Sequence, residues 1–524
     1  MPVELVKDMF KAEQLLGENM AQAIVEGDII VPDSKPDITR ILTVDGSIFV
    51  NKKEAKDNNL AVEGTIYFKI LYASDKGDDP LYNMDSATEF KQTIEIPGLT
   101  SKMESDVAVE IEHVDYSINN DRKIGVKAVI NILARGIEEK DIEIAKDVDG
   151  VEDVELLKNT IKYSTVVGSN SSNTLIKDAF ELDEDMDPIK EILNWNGKAI
   201  AREVKVAEGK VIAAGTLFIE LLYIADDEEY TLNVLKKEIP FTHFIEIPKA
   251  NTDMQCAINM SLEELSTELK ENVQGVRKIL EFEGIVKLQA KVKDILEKEF
   301  LVDAYSPTKF LKVEKTKLSY NEAVGVNKTQ MQFRDTLQVP KTNPPVIKVL
   351  SVQTKPILTD YNLLGSKVNV EGILEAVVLY TAEDNFQPIY SFTQELPFKY
   401  AIDMDNVDSD ASAEVSLIVQ EAESTLINGQ QVDLKVNILI TCDCYTSKSV
   451  EVVSGVEELD EIKNLSQKPS LTIYFYQKGD SLWKVAKRYN TTVKQLMETN
   501  NIDSPEDVKA GDHLIIEKTY SFKF

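Results

Sequence analysis

Histidine, the side chain that most often acts in acid–base catalysis, is rare in this sequence, and its copies lie far apart along the chain. The three histidines are His113, His243 and His513, and none of the spacings HExxH, GxSxG or the P-loop occurs. Carboxylates number 90. At that abundance neighbouring pairs arise by chance, so a glycosidase-like pair cannot be inferred. We therefore expect no catalytic residues and no enzymatic activity.

The candidate metal ligands also lack a recognisable spacing. Cys256, Cys442 and Cys444 are odd in number and form neither a metal nor a disulfide framework. Cys442 and Cys444 fall in a predicted strand and should share one face, and two reduced thiols are favoured there over a redox or metal role. The acidic run Asp183–Asp187 lacks the Gly and the distal Glu of an EF-hand loop, which favours a solvated turn over calcium. We expect no metal and no cofactor.

Binding chemistry is better represented than catalysis, and it lies near the C-terminus. A helix is predicted here whose apolar face consists of Leu482, Val485, Ala486 and Tyr489. Trp483 lies one position outside that face. The tryptophan should therefore be partly exposed. An exposed Trp frequently anchors a sugar or a protein partner, while packing in the core is the alternative.

The elements that position this tryptophan read as strand, helix, helix, strand. Alternation from Leu471 to Tyr476 predicts a first strand, and Gly479 allows the turn into the first helix. Thr492 and Gln495 have the spacing of a capping box and predict the start of a second helix. A last strand is predicted at Leu514–Ile516.

This unit resembles a LysM domain, a family that generally binds N-acetylglucosamine polymers such as peptidoglycan or chitin. The residues that carry the resemblance are Gly479–Trp483, Val485–Ala486, Arg488–Tyr489, Asn490–Thr492, Leu496, Asn500 and Val508–Leu514. The resemblance implies a groove between the loop after the first strand and the loop after the second helix. Its residues would be Gly479, Asp480, Ser481 and Leu482 on one side, with Trp483 beside them, and Asn500, Asn501, Ile502 and Asp503 on the other. The alternative is that Asp480 and Ser481 only cap a helix and that Asn500 only ends one.

The preceding chain contains an internal repeat. The segment Val62–Tyr72 recurs as Ala213–Tyr223 and again as Val370–Tyr380, and each copy has a glycine at its third position. The three glycines are 151 and 157 residues apart. Such a period is too long for a solenoid unit, so each copy is expected to be a domain. The repeated glycine predicts a bulge or a close approach of the backbone within a strand.

Strand patterns dominate each copy, because β-branched and aromatic runs are bounded by Gly, Pro, Asn and Asp. The predicted fold class is mainly β with a small α+β C-terminal domain: three repeated antiparallel domains followed by a βααβ LysM domain. We predict domains at 1–150, 165–310 and 320–456, a linker at 457–470 that leaves the module free, and the LysM domain at 471–518. Helices are predicted near the N-terminus (Leu5–Ile24), at Asp153–Tyr163 and at Asn321–Asp335.

Charge and composition limit the classes of partner that the chain is expected to bind. The chain has a formal net charge of −32, and residues 471–524 hold eight basic and seven acidic residues, so residues 1–470 carry −33. This charge disfavours binding to nucleic acid and to anionic lipid. No apolar run approaches the roughly 18 residues of a membrane span, and the first residues lack the features of an export signal. A cytoplasmic location is expected, where a cell-wall glycan is not an accessible ligand.

The order of the repeats followed by LysM resembles the SPOCS-domain proteins that assemble the spore coat in endospore-forming bacteria. That resemblance implies a protein of the mother-cell cytoplasm that is recruited to the forespore surface. It also implies that the LysM domain engages the coat ATPase, stage IV sporulation protein A, while the repeats act as a scaffold for other spore coat proteins. The alternative is a binding protein for peptidoglycan or N-acetylglucosamine of the spore cortex or cell wall.

Overall fold

The structure, a computed structural model, describes residues 3–77, 79, 81–228, 231–383, 388–405, 407, 411–462 and 469–517. Eighteen strands form three units of six strands each. Unit 1 contains β1 Glu4–Ile30, β2 Arg40–Lys56, β3 Asn59–Ala73, β4 Tyr82–Glu95, β5 Glu104–Asn120 and β6 Lys123–Asp149. Unit 2 contains β7 Glu155–Glu181, β8 Ile189–Ala207, β9 Lys210–Ala225, β10 Leu232–Glu246, β11 Gln255–Glu271 and β12 Arg277–Tyr305. Unit 3 contains β13 Lys309–Gln338, β14 Val346–Leu364, β15 Lys367–Ala382, β16 Ile389–Asp403, β17 Ala411–Asn428 and β18 Gln431–Ile462.

Each unit is built from two antiparallel three-stranded sheets with the same topology. In unit 1 the sheets have the orders β1-β6-β5 and β2-β3-β4, and units 2 and 3 repeat both orders with their own strands. The core of a unit lies between its sheets. In unit 1, for example, Val62 and Phe68 of β3 and Val126 and Ile130 of β6 are almost completely buried in one cluster. The predicted antiparallel β domains are therefore confirmed.

The repeated glycine allows a close approach between neighbouring strands. Gly64, Gly215 and Gly372 lie directly opposite Phe90, Phe241 and Phe398 on the next strand. A Cβ atom added at any of the three would overlap the ring of that phenylalanine and a backbone carbonyl on the other side. The close approach that the repeated glycine predicts is therefore present at all three positions, where an aromatic ring covers the glycine.

The three predicted N-terminal and inter-repeat helices are wrong, because these segments lie in strands, apart from the two residues that precede β7. Leu5–Ile24 lies in β1, which pairs with β6 along almost its whole length. Asp153–Tyr163 runs into β7, and Asn321–Asp335 lies inside β13. Their helix-like spacing of apolar residues is outweighed by main-chain pairing with the long closing strand of each unit, a contact made across more than a hundred residues.

The unit boundaries follow from these strands. The predicted domain starts at 165 and 320 fall inside β7 and β13, so units 2 and 3 begin at Glu155 and Lys309. The predicted linker at 457–470 is likewise shortened, because β18 continues to Ile462 and pairs with Lys309 there. Residues 463–468 of that linker, and residue 518 of the predicted LysM domain, lie outside the described residues.

The three units form a closed ring. Arg40 of unit 1 stacks on Tyr390 of unit 3, with 3.9 Å between the guanidinium carbon and the ring centroid. Lys348 of unit 3 donates to Asn233 of unit 2 at 3.3 Å, and Lys190 of unit 2 pairs with Asp79 of unit 1. Equivalent leucines of all three units also share one cluster, the leucine cluster, which includes Leu42, Leu193 and Leu350. A second one, the aromatic cluster, includes Phe10, Tyr163 and Tyr320.

The C-terminal domain has the predicted βααβ order. Its elements are β19 Leu471–Phe475, α1 Leu482–Tyr489, α2 Val493–Asn500, a 3-10 turn at Pro505–Asp507 and β20 His513–Glu517. β19 and β20 form an antiparallel pair. Each α-helix has eight residues, and no helix in the described part of the chain is long and apolar enough to cross a bilayer.

Candidate functional site

The first predicted side of the LysM groove is used by the fold itself. The Asp480 carboxylate accepts hydrogen bonds from the Tyr474 hydroxyl at 2.6 Å and from the Gln477 N–H at 2.9 Å, and these bonds hold the pKa of Asp480 below its usual value. Ser481 is the N-cap of α1 and accepts from the Lys484 N–H. Leu482 is buried in the core of the domain. Gly479 is exposed, and its φ of 90° forms the turn that precedes the helix.

The second predicted side is also largely structural. The Asn500 side chain donates to the carbonyls of Leu496 and Ile515, both at 2.8 Å, and accepts from the Ile515 N–H at 2.6 Å. It therefore ties α2 to β20. Asn501 is the left-handed C-cap of α2, and Ile502 packs against the core. No hydrogen bond between described residues joins the Gly479–Leu482 segment to the segment formed by Asn500, Asn501, Ile502 and Asp503. Asn501 and Asp503 are exposed.

Trp483 is only partly exposed to solvent, because its side chain also contacts unit 2. Its indole N–H donates to the Asp303 carboxylate at 2.9 Å. Its ring meets that of Tyr305 edge-on, with centroids 4.8 Å apart and planes at 72°. The tryptophan is half-buried, so it satisfies both the predicted partial exposure and the packing alternative. Its predicted role as an anchor for a partner requires the contact with unit 2 to open.

Two further contacts complete this junction, which we call the docking contact (Asp303, Tyr305, Trp483, Lys487 and Thr491). The Lys487 ammonium lies 2.7 and 2.8 Å from the two oxygens of Asp303, and the Tyr305 hydroxyl donates to the Thr491 carbonyl at 2.8 Å. Lys315 adds a more distant charge, 3.7 Å from Asp303.

The electrostatics of the docking contact favour the ionised carboxylate. Burial alone would raise the pKa of Asp303, but hydrogen bonds from Lys487 and Trp483 outweigh it, and the pKa lies below the ordinary value. Burial raises the pKa of Tyr305, which therefore stays a neutral donor. Sequence reasoning missed Asp303, Tyr305, Lys487 and Thr491. The first two lie about 180 residues before Trp483, and no local pattern marks them.

The outer surface of the β19–β20 pair is apolar and exposed. In β19 the alternation places Tyr474 inward and leaves Leu471, Ile473 and Phe475 exposed by 54, 57 and 58%. Ile515 of β20 faces Ile473 across the pair and is 39% exposed. The His513 ring lies against that of Phe475 with centroids 4.5 Å apart. We call Leu471, Ile473, Phe475 and Ile515 the apolar face. It was not predicted as a site.

The remaining candidate ligands form no centre in the described residues. The buried Cys442 and Cys444 share one face as predicted, with their sulfurs 3.6 Å apart. Burial raises the pKa of Cys442 to about 12, which disfavours the thiolate that metals and oxidants require. In the acidic turn, the carbonyls of Asp183 and Glu184 accept hydrogen bonds from Lys278. No group of three or more His, Cys, Asp or Glu suited to a metal ion occurs among the described residues.

Two families of known proteins match the chain. The family described as SipL, SPOCS domain, matches three times, at residues 37–119, 188–270 and 345–427. Each match spans the four middle strands of one unit, so the first and last strands of every unit lie outside it. The LysM domain family matches residues 477–517. No curated protein and no solved structure matches the chain. Together these matches show that the chain carries three SPOCS domains of the SipL family followed by a LysM domain.

Proposed function

We propose that this protein is a non-enzymatic assembly factor of the spore coat. Its LysM domain binds a protein partner at the forespore surface, and its three SPOCS units are the scaffold that holds other coat proteins. The partner we expect is the coat ATPase, stage IV sporulation protein A. The protein would act in the mother-cell cytoplasm and move to the forespore when that partner is bound.

The apolar face is the observation that carries this proposal. Leu471, Ile473 and Phe475 are each more than half exposed, and Ile515 extends the same surface onto the neighbouring strand. A contiguous exposed apolar patch on a small domain usually marks a protein interface. A few well-packed side chains at the centre of such an interface usually supply most of the binding free energy.

The polar groups of the LysM domain also favour a protein partner over a glycan. A glycan groove needs free donors and acceptors for sugar hydroxyls. Here the side chains of Asp480 and Asn500 are already bonded within the domain. Trp483, the expected stacking residue, is held by Asp303 and Tyr305.

Glycan binding is the second candidate, and the LysM family match favours it. Gly479, Asn501 and Asp503 are exposed at the two loops that the family uses. In that case the protein would bind peptidoglycan or another N-acetylglucosamine polymer of the spore cortex or cell wall.

Co-precipitation with the full chain tests the two candidates. Purified chain is incubated with purified ATPase, with peptidoglycan or with chitin. The proposed function predicts retention by the ATPase and its loss in an Ile473→Glu/Phe475→Glu variant. Val273→Glu is the control for an added carboxylate at an exposed apolar position, because Val273 is fully exposed in unit 2. Retention by peptidoglycan or chitin alone, unchanged in the double variant, would establish the second candidate instead.

A further inference from the structure

A large cavity lies between the three units. Its volume is about 2210 Å³, and residues of all three units line it. The aromatic cluster forms part of its wall through Phe10, Tyr163 and Tyr320. Along β8 the lining begins at Gly197, four residues after Leu193 of the leucine cluster. The volume exceeds the roughly 300–1,000 Å³ of typical small-molecule sites, so a larger occupant is indicated.

The wall that unit 2 contributes is cationic, in contrast to the net charge of −32 of the chain. It bears five basic residues and no acidic one, and the basic residues are Lys198, Arg202, Lys205, Lys291 and Lys293. The five acidic residues of the lining all belong to units 1 and 3: Glu18, Glu104, Asp106, Glu414 and Asp443. An acidic ligand would therefore be attracted to the unit 2 side.

Two of these cations lack a carboxylate partner in the described part of the chain. Lys293 pairs with Asp443 at 3.0 Å. Lys198 instead donates to the Val419 carbonyl at 2.7 Å, and burial lowers the pKa of Lys198 to about 8. The Arg202 guanidinium lies 3.4 Å from the Thr216 hydroxyl and above the Phe218 ring. Lys198 and Arg202, four residues apart in β8, are thus basic side chains of this wall that are paired with no carboxylate in the described part of the chain.

Open strand edges line the same wall. β8 and β11 are each the terminal strand of a sheet, and they lie beside each other in unit 2 without pairing as neighbouring strands of one sheet. Consecutive residues Gly197–Arg202 of β8 and Gln255–Leu262 of β11 line the cavity, so their main chain as well as their side chains borders it. In an edge strand the outward N–H and C=O groups have no partner strand and can accept an added one.

We propose that the β11 edge at Gln255–Met260 accepts an extended acidic peptide of a partner protein as an added strand, whose carboxylates bind Lys198 and Arg202. Charge alone would suit any anion, but the open edge and the size of the cavity favour a peptide. This inference deepens the scaffold role and rests on that part of the proposed function. It is independent of the ligand of the LysM domain.

Peptide binding to the full chain tests the inference. The probe is a labelled peptide of about ten residues with alternating Glu and Val, which matches the length of a typical long strand, and fluorescence polarisation reports its affinity. We expect binding that weakens with salt and falls by at least about tenfold in Lys198→Glu/Arg202→Glu. The control Lys249→Glu/Lys341→Glu changes the net charge equally at two exposed sites and should leave the affinity within about twofold.

A second probe isolates the main-chain bonds without altering the protein. The same peptide, N-methylated at alternate residues, cannot donate to the strand edge and should not bind. Equal binding of the methylated peptide, an equal loss in the control variant, or no binding of the unmodified peptide would overturn the inference. In the ATPase co-precipitation, Lys198→Glu/Arg202→Glu should behave as wild type, so failure of one proposal is distinguishable from failure of the other.

Discussion

The docking contact and the apolar face involve the same small LysM domain but differ in what covers them. Unit 2 covers the first, and the second contacts solvent. At the docking contact the Trp483 indole and the Lys487 ammonium share one carboxylate, Asp303, whose side chain is only 12% exposed. At the apolar face Ile473 and Phe475 contact solvent over more than half of their area. The difference separates a surface of the LysM domain that unit 2 covers from one that contacts solvent.

The largest effect is expected from Asp303→Ala. This change leaves Lys487, Lys315 and the indole N–H without their acceptor, and it should destabilise the docked position of the LysM domain by about 2–3 kcal/mol. The chain has two tryptophans, so hydrogen exchange of the Trp483 indole N–H, followed by NMR, reports the contact directly. Faster exchange is expected. Unchanged exchange would remove Asp303 from the contact, and Asp185→Ala in the exposed acidic turn serves as the control.

Acidification should open the same contact. Because the folded-state pKa of Asp303 lies below the ordinary value of 3.8, its carboxylate stabilises docking fully above that value. The stabilisation is lost as pH falls through the lowered pKa. Indole exchange measured relative to free tryptophan should therefore accelerate only in strongly acidic solution. Asp303→Asn should show no such step, and an identical step in this variant would assign it to another group.

A smaller loss is expected from Tyr305→Phe. The ring contact with Trp483 is kept, and only the hydrogen bond to the Thr491 carbonyl disappears. The docked position should weaken by about 1 kcal/mol. Thermal unfolding and indole exchange together measure the change. An effect as large as that of Asp303→Ala would mean that Tyr305, and not the carboxylate, dominates the junction.

The smallest effect on docking is expected from Ile473→Glu. The side chain points away from the core, so Trp483 exchange should remain as in the unmodified chain while partner capture is lost. This variant tests whether the two surfaces are independent. A change in the exchange of the Trp483 indole would show that they are coupled through the domain.

Local signals predicted the fold well wherever neighbours in sequence determine the structure. The capping box at Thr492 and Gln495 forms as expected, and the repeated glycines lie at close approaches between strands, as the motif predicts. Helices were mispredicted at Leu5–Ile24 and Asn321–Asp335, because strands β1 and β13 are determined by pairing with distant β6 and β18.

The candidate site was only partly predictable for the same reason. The position of Trp483 outside the apolar helix face indicated partial exposure, but its partner Asp303 lies 180 residues earlier in the sequence. Leu471, Ile473 and Phe475 alternate with aromatic and polar residues, and either side of the strand could have been the buried one. Tyr474 and Tyr476 occupy the inside because they pack on the helices.

The closed ring of units also determines the stoichiometry of any larger assembly. Unit 1 meets unit 3, unit 3 meets unit 2 and unit 2 meets unit 1, so each joining surface is already occupied within one chain. A fourth SPOCS unit from another molecule would find no vacant position of the same kind. Each chain thus presents one LysM domain for every three SPOCS units, and any larger assembly would have to be connected through the outer surfaces of the ring.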